Sequence, residues 1–315
     1  MDNASPVACI GECMVELSER PDGSLSRSFG GDTLNTALYL ARLGVRTDYV
    51  TALGDDALSD EMLSAWAAEE IGIGLVARVP GRLPGLYMIR TDPSGERRFL
   101  YWRDSAPVRH LFQLPQIGAI ERALCGATLI YLSGITLSLF DAVSRDRLFA
   151  VLARARDVGV KVAFDTNFRP RGWPDRAVAR DVYARAFGHA DLVFASVDDH
   201  ALLHEVTDAD PATVLDHVRA CAVGEIVVKY ATPVCRVVAD GADLEVTALP
   251  VSGVVDTTAA GDSFAAAYLA ARLCGERPGV AARAGHALAG VVVRHRGAII
   301  PRAAMPTRLS ARSSP

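Results

Sequence analysis

A single carboxylate, Asp262, follows a run of small residues, Thr257-Thr258-Ala259-Ala260-Gly261, and stands where a helical pattern begins. That pattern reads Phe264, Tyr268, Leu269, Ala271 and Leu273, with Gly275 as its stop. Backbone N–H groups at a helix start are unpaired and lie at the positive end of the dipole, so they attract anions. Small side chains let a phosphate come close to them. A carboxylate beside such a site is repelled by the anion, so its presence suggests a chemical role, that of taking the proton from an attacking hydroxyl. The alternative on this stretch alone is that Asp262 is an ordinary N-cap, a role Asp often fills.

Other polar residues fall just after apolar runs. Phe164 is followed by Asp165-Thr166-Asn167-Phe168-Arg169, Ala195 by Ser196-Val197-Asp198-Asp199, Val228 by Lys229-Tyr230, and Val255 by the stretch that ends in Asp262. The runs at 129–132, 160–164, 192–195 and 225–228 read as buried strands, and helical patterns at 145–158, 177–186 and 212–220 lie between them. Continuous apolar strands alternating with amphipathic helices imply a parallel sheet covered on both faces. Ligands bind beyond the carboxyl ends of such strands. Four strand ends would then deliver carboxylates, an amide, an arginine and a lysine to one edge.

Upstream, residues 7–10 and 48–53 read as strands, and 61–70 as a helix. Gly30-Gly31-Asp32 precedes another helix carrying Leu34, Ala37, Leu38 and Ala41 on one face. Residues 85–90 and 97–103 read as a hairpin with one wet face, joined by the turn-rich segment 91–96.

Composition sets limits. The 315 residues are 50% hydrophobic and 22% charged, ordinary for a globular protein with a sizeable core. A net charge of -4 argues against a nucleic-acid binder. The six cysteines form no CxxC pair and read as reduced core thiols of a cytoplasmic protein. The N-terminus has neither basic flank nor apolar signal core, and glycines and hydroxyls break up the uncharged stretch 123–140, so no membrane association is expected. No GxGxxG follows Ile10, which removes a dinucleotide dehydrogenase from consideration.

Gly30-Gly31-Asp32-Thr33-Leu34-Asn35, Asp165-x-Asn167-x-Arg169 and Asp256-Thr257-Thr258-Ala259-Ala260-Gly261-Asp262 resemble, in order, the motifs of the ribokinase-like sugar kinases. Further segments are similar to the members of that family that act on 2-keto-3-deoxygluconate. They include Leu83-Pro84-Gly85-Leu86-Tyr87, Tyr101-Trp102-Arg103 and Arg169-Pro170-Arg171-Gly172-Trp173.

The resemblance implies a three-layer α/β/α fold with a mostly parallel central sheet and a small β lid. Segments 1–13, 33–82 and 105–310 would form the body, 14–32 and 83–104 the lid, and 307–315 a frayed tail. It implies ATP-dependent phosphorylation of the 6-hydroxyl of the sugar acid. Asp262 would be the base, and the N–H groups of Ala259, Ala260 and Gly261 would stabilise the transferring phosphoryl group. Gly30, Gly31, Asp32, Asn35, Tyr87, Tyr101, Arg103 and Arg169 would bind the acceptor, the arginines taking its carboxylate. Asn167, Ser196, Lys229, Ala231, Val234, Thr258 and His286 would meet the nucleotide. Magnesium would be steadied through water by Asp198 or Asp199. A homodimer or higher homo-oligomer would form through the lid.

The chain departs from the family pattern in three places. Ala259 replaces the first glycine of Gly-Ala-Gly-Asp, so it would be strained if that position needs positive φ. Ser196-Val197-Asp198-Asp199 replaces Asn-x-x-Glu, and the glycines expected after Lys229 are absent. Two other functions stay open: a kinase of the same fold for another sugar such as fructose, and a catalytically silent sugar-acid sensor.

Overall fold

The computed structural model describes residues 5–20, 22–91 and 97–306. Most of the predicted hairpin turn (92–96) and the tail 307–315 lie outside the described residues. In chain order the strands are β1 (Val7–Ile10), β2 (Met14–Glu19), β3 (Leu25–Gly30), β4 (Thr47–Leu53), β5 (Val76–Arg78), β6 (Leu86–Thr91), β7 (Arg97–Trp102), β8 (Leu129–Ser133), β9 (Lys161–Asp165), β10 (Leu192–Ser196), β11 (Glu225–Lys229), β12 (Val234–Ala239) and β13 (Ala242–Thr247). The helices are α1 (Asp32–Arg42), α2 (Ala57–Ala68), α3 (Ile117–Leu124), α4 (Gly134–Leu139), α5 (Ala142–Asp157), α6 (Arg176–His189), α7 (Val197–His204), α8 (Pro211–Arg219), α9 (Ala260–Leu273) and α10 (Pro278–Val292).

Nine strands form the main sheet in the order β13-β12-β11-β10-β9-β8-β1-β4-β5. Every pairing from β11 to β5 is parallel, and β12 and β13 add an antiparallel edge. Alternate residues of one strand feed two cores. Ala8, Ile10, Ile130 and Leu132 pack with α3, α5, α6 and α8, while Val7, Cys9, Leu129 and Tyr131 pack with α1, α2, α9 and α10. This two-sided burial is why the strands read as unbroken apolar runs. Among the described residues, no helix is long and apolar enough to cross a membrane.

A second sheet has the order β3-β2-β6-β7. Its chain leaves the body after β1 and returns through β3 directly into α1. Gly31, at that return, is extended at φ 178°; a Cβ there would lie 2.1 Å from the Glu12 carbonyl oxygen, so only glycine fits.

Asp side chains cap several helices: Asp56 on α2, Asp141 on α5, Asp175 on α6 and Asp210 on α8. The Asp56 cap starts α2 ahead of the predicted 61–70. One strand expectation fails. Val254 and Val255 belong to no strand; the two residues are 56% and 51% exposed, and Val255 N–H donates to the Val293 carbonyl at 2.8 Å. Three of the four expected strand ends therefore serve the site, and the fourth expected contribution is the start of α9.

Between α7 and α8, His200 and His204 of the first and His217 of the second pack with ring centroids 4.3–5.4 Å apart. Burial first, and then the neighbouring imidazoles, push His200 down to about 4; His204 and His217 are also lowered by burial. Depressed imidazoles leave stability intact above about pH 6.5 and remove it as pH falls toward 4. Between pH 6.5 and 4.5 these imidazoles should therefore pull the unfolding temperature down, and His200→Leu should gain on the wild type as pH falls through that range. A difference between variant and wild type that does not change with pH would contradict the assignment.

Candidate active site

Asp262 is the third residue of α9. The cap is Ala259, at φ 59°, and it offers no side-chain hydrogen bond, so the N-cap reading of Asp262 fails. Ala259 thus occupies the left-handed region without glycine's freedom, at a cost of about 1 kcal/mol. Asn35, on the first turn of α1, donates its Nδ2 to Asp262 Oδ2 at 2.8 Å. Burial, then the charge of Asp32, push the Asp262 carboxyl up to about 8, against the opposing pull of Asn35 and Lys229.

These groups line a cavity of about 610 Å³ at the carboxyl ends of the parallel strands. Gly30, Gly31, Asp32, Asn35, Tyr87, Tyr101 and Arg169 form part of its wall; so do Asn167, Ser196, Asp198, Asp199 and Lys229, and so do Thr258, Ala259, Ala260, Gly261 and Asp262. Most residues expected from sequence are therefore brought together. First-turn N–H groups lack intrahelical acceptors. That of Ala260 is taken by the Thr257 carbonyl at 3.2 Å, which leaves it turned into the loop. Over Gly261 the space is open: a Cβ there would meet only Lys229 Nζ, at 3.6 Å.

Several side chains are engaged differently from expectation. Asn167, at φ 28°, donates Nδ2 to Asp32 Oδ2 at 2.8 Å, and the Ser133 hydroxyl donates to the same oxygen. Asn167 and Ser133 therefore both hold the Asp32 carboxylate. Lys229 pairs with Asp165 at 2.9 Å; burial opposes its charge, but the carboxylate outweighs it and raises the ammonium pKa. Asp199 is 8% exposed and accepts from Thr166 Oγ1 at 2.7 Å, and burial raises its pKa. Ser196 caps α7 by accepting from Asp199 N–H at 3.3 Å, and Asp198 stands exposed beside it. Tyr87 donates its phenol to Glu16, and its ring centroid is 5.9 Å from that of Tyr101.

Four expected residues do not line the cavity. Arg103 points its guanidinium at the buried Glu12, which is 3% exposed. Ala231 is exposed in the turn after β11, and Val234 opens β12. His286 places Nε2 3.0 Å from the Val246 carbonyl oxygen, with its ring 5.0 Å from that of Phe264.

Sequence reasoning missed Ser133, whose only signal was a hydroxyl at the end of an apolar run. It also left Asp256 without a role. Asp256 Oδ1 accepts from Thr258 N–H and Oγ1 and Oδ2 accepts from Gly297 N–H at 2.9 Å, which ties the loop before α9 to the segment after α10.

The arrangement can hold a polyanion over the start of α9, near Lys229, and present a hydroxyl to a hydrogen-bonded carboxylate. Comparison with known proteins agrees with that chemistry. The chain is 45% identical over 308 residues to the 2-dehydro-3-deoxygluconokinase of Dickeya dadantii, covering 95% of this chain and 98% of that protein. Its fold matches 2-dehydro-3-deoxygluconokinase from Thermotoga maritima (TM-score 0.82, 22% identity, 95% of each chain). It also matches a putative ribokinase II in complex with ATP and Mg2+ from Escherichia coli (TM-score 0.80, 23% identity, 93% of this chain and 94% of that one). Residues 4–305 match the family described as pfkB family carbohydrate kinase, and the chain belongs to it.

Proposed function

We propose that this chain transfers the γ-phosphoryl group of ATP to the 6-hydroxyl of 2-keto-3-deoxygluconate. The observation that carries the reading is Asp262, on the first turn of α9 at the wall of the cavity and hydrogen-bonded by Asn35. Likeness to the Dickeya dadantii kinase supports the choice of acceptor.

Asp262 takes the proton of the attacking hydroxyl, and the positive end of α9 favours the charge that develops on the transferring group. Asp32, oriented by Ser133 and Asn167, accepts from the acceptor's hydroxyls. Asn35 Oδ1 is buried without a partner among the described residues, and it can accept one more. Arg169 takes the acceptor's carboxylate: its side chain is 58% exposed, it lines the cavity, and its nearest anionic partner is a distant 3.4 Å contact with Asp199.

Magnesium, when bound with the nucleotide, neutralises phosphate charge. Asp198 and Asp199, on one wall of the cavity, would steady it through water. Ser196 and Thr258 border the same phosphate region.

In the same reading, segments 14–32 and 83–104 are a lid on the body formed by 1–13, 33–82 and 105–310. Phe99 and Tyr101 line the cavity from that lid, while the alternate residues Leu100 and Trp102 stand on the other face of β7. That outer apolar face supports association of two copies through the lid. Cytoplasmic residence belongs to the proposal because ATP is the co-substrate.

A coupled ADP-release assay tests it. 2-Keto-3-deoxygluconate should saturate the enzyme with a kcat/KM far above that for fructose; preference for fructose, or binding without turnover, would overturn it. Arg169→Ala should raise KM for the sugar acid roughly ten- to hundredfold, the size of one charge-assisted hydrogen bond, and leave KM for ATP near its wild-type value. An unchanged KM would remove Arg169 as the carboxylate ligand.

A further inference from the structure

Arg171 lies two residues beyond Arg169 and is not part of that cavity's wall, yet it reaches across the mouth of the site. Its Nη1 donates to the Phe99 carbonyl of β7 at 3.1 Å, and its guanidinium lies 5.2 Å from the centre of the Tyr101 ring. Phe99 and Tyr101 are the two residues through which β7 faces the cavity.

The base of Arg171 is fixed in the body. It sits in the short turn Pro170–Gly172, where Gly172 N–H bonds the Arg169 carbonyl at 2.9 Å and Trp173 N–H bonds the Pro170 carbonyl at 3.1 Å. Trp173 is 2% exposed, packed under Arg145 at 4.9 Å and against Tyr183 at 5.9 Å. Arg176 Nη1 donates to the Pro170 and Trp173 carbonyls at 3.3 and 3.0 Å. A Cβ on Gly172 would lie 2.7 Å from Ser138 Oγ, so the turn is pressed against α4.

We infer that Arg171 is a positioning residue for the reaction: it clasps the lid strand β7 to the body and so holds the acceptor end of the cavity closed. The inference rests on the proposed kinase reading for its catalytic consequence, not for the contact itself. Arg169 and Arg171 share one rigid turn, so the group that takes the acceptor's carboxylate and the group that fastens the lid are set by the same backbone. An acceptor seated on Arg169 thus lies under the strand that Arg171 holds. The exclusion of water under a closed lid is what separates phosphoryl transfer to the acceptor from hydrolysis of ATP.

The test uses the full chain with Arg171→Ala and Arg171→Lys. Amide hydrogen exchange without substrates should speed up in 97–102 in Arg171→Ala and stay at wild-type rates in α5 and α6. KM for the sugar acid should rise about tenfold, the size of one charged hydrogen bond with a cation–π contact, while kcat and KM for ATP stay within about twofold. Acceptor-free ATP hydrolysis should increase. Arg171→Lys keeps a donor and a charge and should recover part of each change.

Wild-type exchange at 97–102 in Arg171→Ala overturns the clasp. A parallel rise in both KM values also overturns it, because that marks a disturbed turn. If exchange at 97–102 rises but the wild-type protein does not phosphorylate the sugar acid, the clasp stands and the acceptor assignment falls.

Discussion

Asp262→Asn should lower kcat by a factor on the order of 10² to 10⁴, the range a positioned general base supplies. Asparagine keeps the size of the side chain and an oxygen that can accept from Asn35 Nδ2, so the contact now made at 2.8 Å can survive. KM for ATP and for the sugar acid should therefore change only a few-fold, and the loss should fall on the chemical step. Coupled ADP release at saturating substrates reads it directly. A variant within about tenfold of wild type would mean that this carboxylate only helps to shape the cavity.

Phosphoryl transfer through a loose transition state needs little push from the nucleophile, so loss of the base need not abolish turnover. The residual rate would come from the start of α9, where the loop from Asp256 to Gly261 is held by the two carboxylate oxygens of Asp256. A residual rate well above the acceptor-free background would separate that electrostatic contribution from the base itself.

What sequence could and could not show follows from burial and distance. The parallel strands were legible because both faces of each are covered, which makes them continuous apolar runs. The antiparallel edge, β12 and β13, was not: its burial alternates or fades, and Arg236 and Glu245 stand among its apolar residues. Val254 and Val255 misled for the opposite reason, being an apolar pair that the fold leaves half exposed. Position along the chain located the cavity residues, but it did not give their partners. The Arg103 fork meets Glu12 only because the two crossings between body and small sheet converge there, a contact between distant segments. Asn167 turns to Asp32 because its backbone sits at φ 28°, which no spacing rule reveals. The strain expected at Ala259 if its φ were positive is present, since φ there is 59°.

The pH dependence of the reaction should carry the mark of Asp262. With its carboxyl at about 8, kcat/KM should rise about tenfold per pH unit up to that point and level off above it, because only the ionised form accepts a proton. Asp32 is the largest charge raising that value, so Asp32→Asn should move the acid limb to lower pH even while it weakens acceptor binding. A limb that stayed in place would assign it to another group. Stability should run the other way. The folded carboxyl titrates well above its unfolded value near 4, so burial of the protonated acid stabilises the fold at low pH, and that contribution is lost as pH rises through about 8. Asp262→Asn cannot ionise and keeps it. The variant should therefore unfold at a higher temperature than wild type at pH 9, by roughly 2 °C for each kcal/mol involved, with the gap closing toward pH 5. A slower variant that is more stable in alkali is what a buried base predicts. Equal or lower stability at pH 9 would show that the carboxylate is better solvated than its surroundings imply.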